Sequence, residues 1–140
     1  MTINLTEILD YCAQNQISLS HQQELILKII AEQNGAIAAN EILAQLVQIN
    51  PKANRMTIHR ALEYLISINL IHKIQFNSTY TLCNHLNEHS CQILVCQLCG
   101  SQTELHSEEI RQTLLKSSEK FNFTIGNPLE IMGYCAQCTK

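Results

Sequence analysis

Cys96-Gln97-Leu98-Cys99 and Cys135-Ala136-Gln137-Cys138 are two C-x-x-C units with 35 residues between them, and no other feature of the sequence restricts its folding so sharply. Two residues between cysteines let both sulfurs of a unit face one ion from a single tight turn, and Gly100 lets backbone N–H groups approach the thiolates. Two such turns supply the four soft ligands of a closed tetrahedral zinc site. A closed site leaves no coordination position for a substrate, so its work is structural: it staples the last strand of the chain onto an earlier one in a lobe short of core. A thioredoxin-like redox pair would instead open a helix in a β-α-β unit, whereas these cysteines follow predicted strands. Zinc is the reading for Cys96, Cys99, Cys135 and Cys138.

The rest of the composition is that of an ordinary folded chain. Of 140 residues, 46% are hydrophobic and 15% charged, enough apolar side chain to fill a core. No apolar run approaches the roughly 20 residues of a bilayer crossing, and the first basic residue is Lys28, so a signal peptide is not expected. A cytoplasmic location follows as the expectation. In a reducing compartment seven cysteines point to metal or redox chemistry rather than to disulfides. The net charge of -3, from 9 basic and 12 acidic residues, weighs against nucleic acid as a partner, because phosphate binding is driven by clustered Lys and Arg.

Six of the seven cysteines lie from Cys83 onward, which divides the chain into a first lobe over 1–83, a hinge over 84–88 and a second lobe over 89–140. The first lobe reads as helices. Leu5, Ile8, Leu9 and Cys12 are helically spaced. Ser20 caps a second helix carrying Leu25, Ile26, Ile29 and Ile30 and closed by Asn34-Gly35. Ile42, Leu43 and Leu46 mark a third, over 40–48. A fourth runs from the cap Asn54 to about Ile68, with Ile58, Ala61, Leu62, Leu65 and Ile66 on the core arc and His59, Arg60, Glu63 and Ser67 on the other. Strands over 70–76 and 79–83, joined by the two-residue turn Asn77-Ser78, complete a winged helix-turn-helix. The second lobe reads as a strand over 89–96, a strand over 101–106, a helix over 107–121 capped by Ser107, and a strand from Phe123 towards Tyr134. The fold class is thus α+β: a winged helix-turn-helix followed by a small α/β domain whose open strand edges a second copy can cover.

A two-residue turn sets a register in which Phe76 faces Thr79, Ile74 faces Thr81 and His72 faces Cys83. Directly opposed residues hold their Cβ atoms about 4.5–5.5 Å apart, so an imidazole and a thiol would project together as half of a metal site. Candidates for the other half are His85, Glu88, His89, Glu104 and His106, the last two sharing a strand face by period-two alternation. Cys12 is most simply core; Cys91 reads either as a spare ligand or as an oxidisable thiol.

On these residues the sequence resembles the ferric-uptake-regulator family of metal-sensing repressors, and most of all its zinc-sensing members. The resemblance is carried by Tyr11-Cys12-Ala13-Gln14, Gly35-Ala36-Ile37, Thr57-Ile58-His59-Arg60-Ala61-Leu62, Leu70-Ile71-His72-Lys73-Ile74, Tyr80-Thr81-Leu82-Cys83 and the two C-x-x-C units. It implies a second, regulatory zinc on His72, Cys83, His89 and Glu104, hence two zinc ions per chain. The iron-type members' H-H-x-H run is replaced here by Ser90-Cys91-Gln92-Ile93. One thiolate, two imidazoles and one carboxylate suit tetrahedral zinc better than a hard-oxygen site suited to manganese.

The resemblance further implies a homodimer on a double-stranded DNA operator, read by Lys52, Arg55, Thr57, His59 and Arg60. His59 stands where the family has a tyrosine, and the region 1–83 carries five basic against six acidic residues, so only the local cluster of Lys52, Arg55 and Arg60 attracts DNA. An ion held jointly by the two lobes across the hinge would fix the spacing of the two recognition helices, which must match half-sites about one DNA turn apart. The leading reading is a zinc-responsive repressor of metal-uptake genes, with no catalytic residues, membrane association or small-molecule substrate. The alternatives are an iron- or manganese-sensing member of the same family, and a zinc-stapled interaction module without a DNA target.

Overall fold

The computed structural model describes residues 3–33, 35–86 and 90–139, which fall into two compact units, Met1–Leu86 and Asn87–Lys140. The first holds helices α1 (Leu5–Gln14), α2 (His21–Ala31), α3 (Ala39–Ile49) and α4 (Arg55–Ser67), with strands β1 (Ile37–Ala38), β2 (Ile71–Ile74) and β3 (Thr79–Leu82) in the order β1-β3-β2. Helix starts are written in side chains. Ser20 forms a reciprocal capping box with Gln23, and Asn54 forms one with Thr57. Asn69, at φ +61, ends α4 in the left-handed conformation that asparagine tolerates, so that the Leu70 N–H reaches the Leu65 carbonyl at 3.1 Å and the Asn69 N–H reaches Ile66 at 2.9 Å. Leu65 and Leu70 are both fully buried, and β2 leaves the helix with its direction set. Gly35, at φ +117, follows α2; Asn34, the other half of the expected helix stop, lies outside the described residues.

On α4 the arc expected to face the core does so: Ile58, Ala61, Leu62 and Leu65 are buried, Ile66 half-buried, and His59, Arg60, Glu63 and Ser67 exposed. They pack with Ile8, Ile26, Leu27, Ile42 and Leu46 into one core. Each fully buried leucine or isoleucine contributes on the order of 1.5–3 kcal/mol. Cys12 belongs to that core, and burial, together with the charge of Glu24, pushes its thiol upward.

The hairpin departs from the expected register. Ile74 faces Thr79, His72 faces Thr81 and Ile71 faces Leu82, so the turn spans four residues, 75–78. A two-residue type I′ turn on Asn77-Ser78 needs positive φ at both, and only Ser78 has it, at +53. Phe76, expected to pair with Thr79, therefore lies in the turn and is 41% exposed.

The second unit holds β4 (Cys91–Cys96), β5 (Gln102–His106), α5 (Glu108–Glu119) and β6 (Leu129–Gly133), with sheet order β5-β4-β6. β4 is antiparallel to β5 and parallel to β6, the crossover between β5 and β6 running through α5. β6 begins later than the sequence suggests, immediately after Pro128, which has no N–H for a ladder. Gln92 is buried yet satisfied: its side-chain N–H groups donate to the carbonyls of Ser90 and Ser107, and its oxygen accepts from the Ser107 N–H at 2.8 Å. That clamp fixes the corner where β5 turns into α5. The α+β class expected from the sequence is the class observed. No helix among the described residues is long and apolar enough to cross a membrane.

Candidate metal centres and nucleic-acid interface

Parallel pairing of β4 with β6 sets Cys96 opposite Gly133, two residues before Cys135. After Cys96 the chain reverses through Gly100 at φ +76, the Gly100 N–H donating to the Cys96 carbonyl at 3.0 Å and the Cys96 N–H to Ser101 at 2.9 Å. A similar turn follows Cys135, whose carbonyl accepts from the Cys138 N–H at 3.0 Å. The outcome is that the sulfurs of Cys96, Cys99, Cys135 and Cys138 all lie within 4.8 Å of one another, with 3.7 Å between those of Cys99 and Cys135.

The electrostatics of this cluster are those of a cation site. Backbone N–H groups of Cys135 and then Cys99 lower the Cys96 thiol to about 6, and the Cys138 N–H lowers Cys135. Cys138 is pushed the other way, to about 12, by the sulfurs of Cys135, Cys96 and Cys99. Four thiolates this close cannot coexist without a compensating charge, and a tetrahedral soft dication supplies it. The donor set fits zinc.

His72 and Cys83 sit on the first unit's hairpin. Cys83 follows β3, its N–H donating to the Leu70 carbonyl at 2.9 Å, so it faces Leu70 rather than His72. The expectation of direct opposition is thereby corrected. Residues 70, 72, 81 and 83 nevertheless share one face, and His72 and Cys83 are diagonal neighbours on it. Both are buried, and an imidazole nitrogen and the sulfur lie within 4.8 Å. A shift of two in register keeps side chains on the same face; a shift of one would have separated them.

In the second unit Glu104, on β5, is half-buried, and its carboxylate lies within 4.8 Å of the sulfur of Cys91, which is buried at the start of β4. His106 faces Cys91 directly across the ladder. His89 lies outside the described residues, as does Glu88. His85 is half-buried after β3. Sequence reasoning left Cys91 as either a spare ligand or an oxidisable thiol; the signal that places it beside Glu104 is the β4–β5 register, which depends on the length of the turn at 97–101.

On α4 the exposed residues Met56, His59, Arg60 and Glu63 recur at helical spacing as one stripe, with Arg55 exposed at its start and Lys52 exposed in the preceding turn. Thr57 is committed locally: its hydroxyl accepts from the Asn54 N–H and its N–H donates to the Asn54 carboxamide at 3.0 Å. A cleft of about 290 Å³ lies between the start of α3, the outer face of α4 and the hairpin turn, and Asn40, Arg55, His59, Asn77 and Ser78 line it. Among the described residues no acidic side chain lines it. The sequence marked the cations of this surface, whereas the cleft arises from packing and carries no signature of its own.

The zinc uptake regulation protein of Escherichia coli (strain K12) is 30% identical over 132 residues, which make up 92% of this chain and 77% of that protein. A solved zinc uptake regulator complexed with zinc and DNA superposes with a TM-score of 0.84 at 29% identity, covering 96% of this chain and 92% of the other. The crystal structure of holo XcZur gives 0.82 at 25% identity, covering 96% of each. The family model described as the ferric uptake regulator family matches residues 14–129, and with that span and that identity the chain belongs to the ferric uptake regulator family.

Proposed function

We propose that this chain is a zinc-responsive, DNA-binding transcriptional repressor that acts as a homodimer in the cytoplasm. The observation that carries the reading is the likeness, over nearly the whole length, to a zinc uptake regulator complexed with zinc and DNA. The cysteine cluster and the His72–Cys83 pair add the chemistry such a protein needs. Cys96, Cys99, Cys135 and Cys138 hold a structural zinc. His72, Cys83, His89 and Glu104 hold a regulatory one, which makes two per chain. Zinc at the second site supplies a dication that four side chains from two units can share. His72 and Cys83 present a nitrogen and a sulfur from the hairpin behind the recognition helix, and Glu104 presents an oxygen from the other unit, so ligation couples the DNA-reading unit to the dimerising one. A coupling of about 1–3 kcal/mol suffices for a switch, and DNA then tightens zinc by the same factor.

Lys52, Arg55, Thr57, His59 and Arg60 form the DNA surface, with Thr57 acting through the cap of α4. The hinge and domain limits are those of the sequence reading, 1–83, 84–88 and 89–140. The second unit supplies the homodimer contact: Leu94 and Ile131, each 41% exposed, share the sheet face that lines a groove of about 320 Å³ with Thr103 and Ala136. The test is a zinc titration of binding to duplex fragments of metal-uptake promoters, with metal content determined before and after mild chelation. Two zinc ions per chain are expected, one labile and required for binding. Cys83→Ser should fold normally and lose the zinc response. Binding that ignores zinc, or a normal response in Cys83→Ser, overturns the reading.

A further inference from the structure

We propose that Cys91 takes the place given above to His89 among the ligands of the regulatory ion, which then carries two thiolates rather than one. The inference rests on the reading above, because it takes Glu104 as a ligand. In the β4–β5 ladder Cys91 faces His106 and Ile93 faces Glu104. Opposed residues share a face, so Cys91 and Glu104 are diagonal neighbours on one side of the sheet. Cys91 is 1% exposed, and its sulfur and a Glu104 carboxylate oxygen lie within 4.8 Å. Zinc bonds of about 2.0 Å to oxygen and 2.3 Å to sulfur at a tetrahedral angle put the two ligand atoms roughly 3.5 Å apart. The upper limit of 4.8 Å exceeds that by about 1.3 Å, a difference that rotation of the Glu104 side chain can close. An ion taken by Glu104 on this face is therefore within bonding reach of Cys91.

The chemistry favours the bond once the reach exists. Metal ions take up cysteine as the thiolate, the thiol proton passing to solvent on binding. Two thiolates, one imidazole and one carboxylate make a softer donor set than one thiolate with two imidazoles, and selectivity moves further from iron and manganese towards zinc.

The test uses the full chain with zinc retained at the four-cysteine site and cobalt(II) titrated alone into the second. X-ray absorption at the cobalt edge should count two sulfurs per cobalt in the unsubstituted protein. Thiolate-to-cobalt charge-transfer absorbance should fall by about half in Cys91→Ser and again in Cys83→Ser, while His89→Ala keeps it. One sulfur per cobalt, or full absorbance in Cys91→Ser, overturns this inference and leaves the repressor reading standing. No second cobalt bound at all overturns both. The sulfur count on the unsubstituted chain decides the matter even if Cys91→Ser fails to fold.

Discussion

Glu108 opens α5, and its carboxylate is held below the ordinary value of 4.5 first by the Ser90 hydroxyl, which donates to it, and then by the Gln112 amide. A carboxyl whose folded value is depressed stabilises the folded state above its unfolded value, and that contribution disappears as pH falls through the folded one. Glu108→Gln should therefore lower the thermal midpoint at pH 7, and the difference from the unsubstituted protein should shrink to nothing as pH drops well below 4.5. Paired melts across that range check the sign. Lys52 and Arg60 separate by the same kind of single-residue reasoning. Lys52 is exposed in the turn before α4; on the proposed DNA surface it would meet phosphate, and Lys52→Ala should then weaken binding to all duplexes alike and flatten the log–log salt slope by about 1. Arg60 lies mid-stripe on α4. Arg60→Ala should cost about 1–3 kcal/mol and relax preference at one base position. Anisotropy titrations at several salt concentrations, on operator and scrambled duplexes, distinguish the two patterns.

At the scale of elements, α4 depends on its cap. Asn54 and Thr57 satisfy each other's N–H groups; Asn54→Ala removes the acceptor of the Thr57 N–H, leaving the backbone arm to the Thr57 hydroxyl, and should cost about 1 kcal/mol of stability. DNA affinity should fall with it, because fraying begins at Arg55, and denaturation and binding measured on one preparation test the linkage. Caps of this kind are why the helices of the first unit were legible in sequence: Ser20 and Asn54 announce their helix starts, and the spacing of Ile58, Ala61, Leu62 and Leu65 announces the buried face. The hairpin was legible as an element but not in register, since whether Asn77-Ser78 turns in two residues or four depends on which residues adopt positive φ. β1 went unread because two residues, Ile37 and Ala38, show no alternation, and they form a strand only because β3 lies beside them. The cysteine cluster was legible in full, its spacing being a covalent fact. The partner of Glu104 was not, because it depends on a cross-strand register that a loop of unread geometry sets.

For the molecule as a whole, the two units differ in what holds them. The first has a core assembled from four helices and a hairpin. In the second, α5 contains no buried residue, and none of the residues of β5 or β6 is buried either; burial is concentrated on β4. Small units of this kind lack the apolar area to offset chain entropy unless something is added. Zinc binding at four cysteines supplies on the order of 10–16 kcal/mol in comparable small sites, and a partner copy seated on Leu94 and Ile131 would add apolar burial. Cys96→Ser, or removal of zinc by a strong chelator, should therefore unfold the second unit and dissolve the proposed dimer to monomer, while the first unit keeps its helices. Backbone amide spectra should show the signals of residues 5–82 retained and those of 91–139 collapsed, and sedimentation velocity should report the monomer. A second unit that stays folded and dimeric without zinc would mean that its thin core suffices, and the cysteine cluster would then need another purpose.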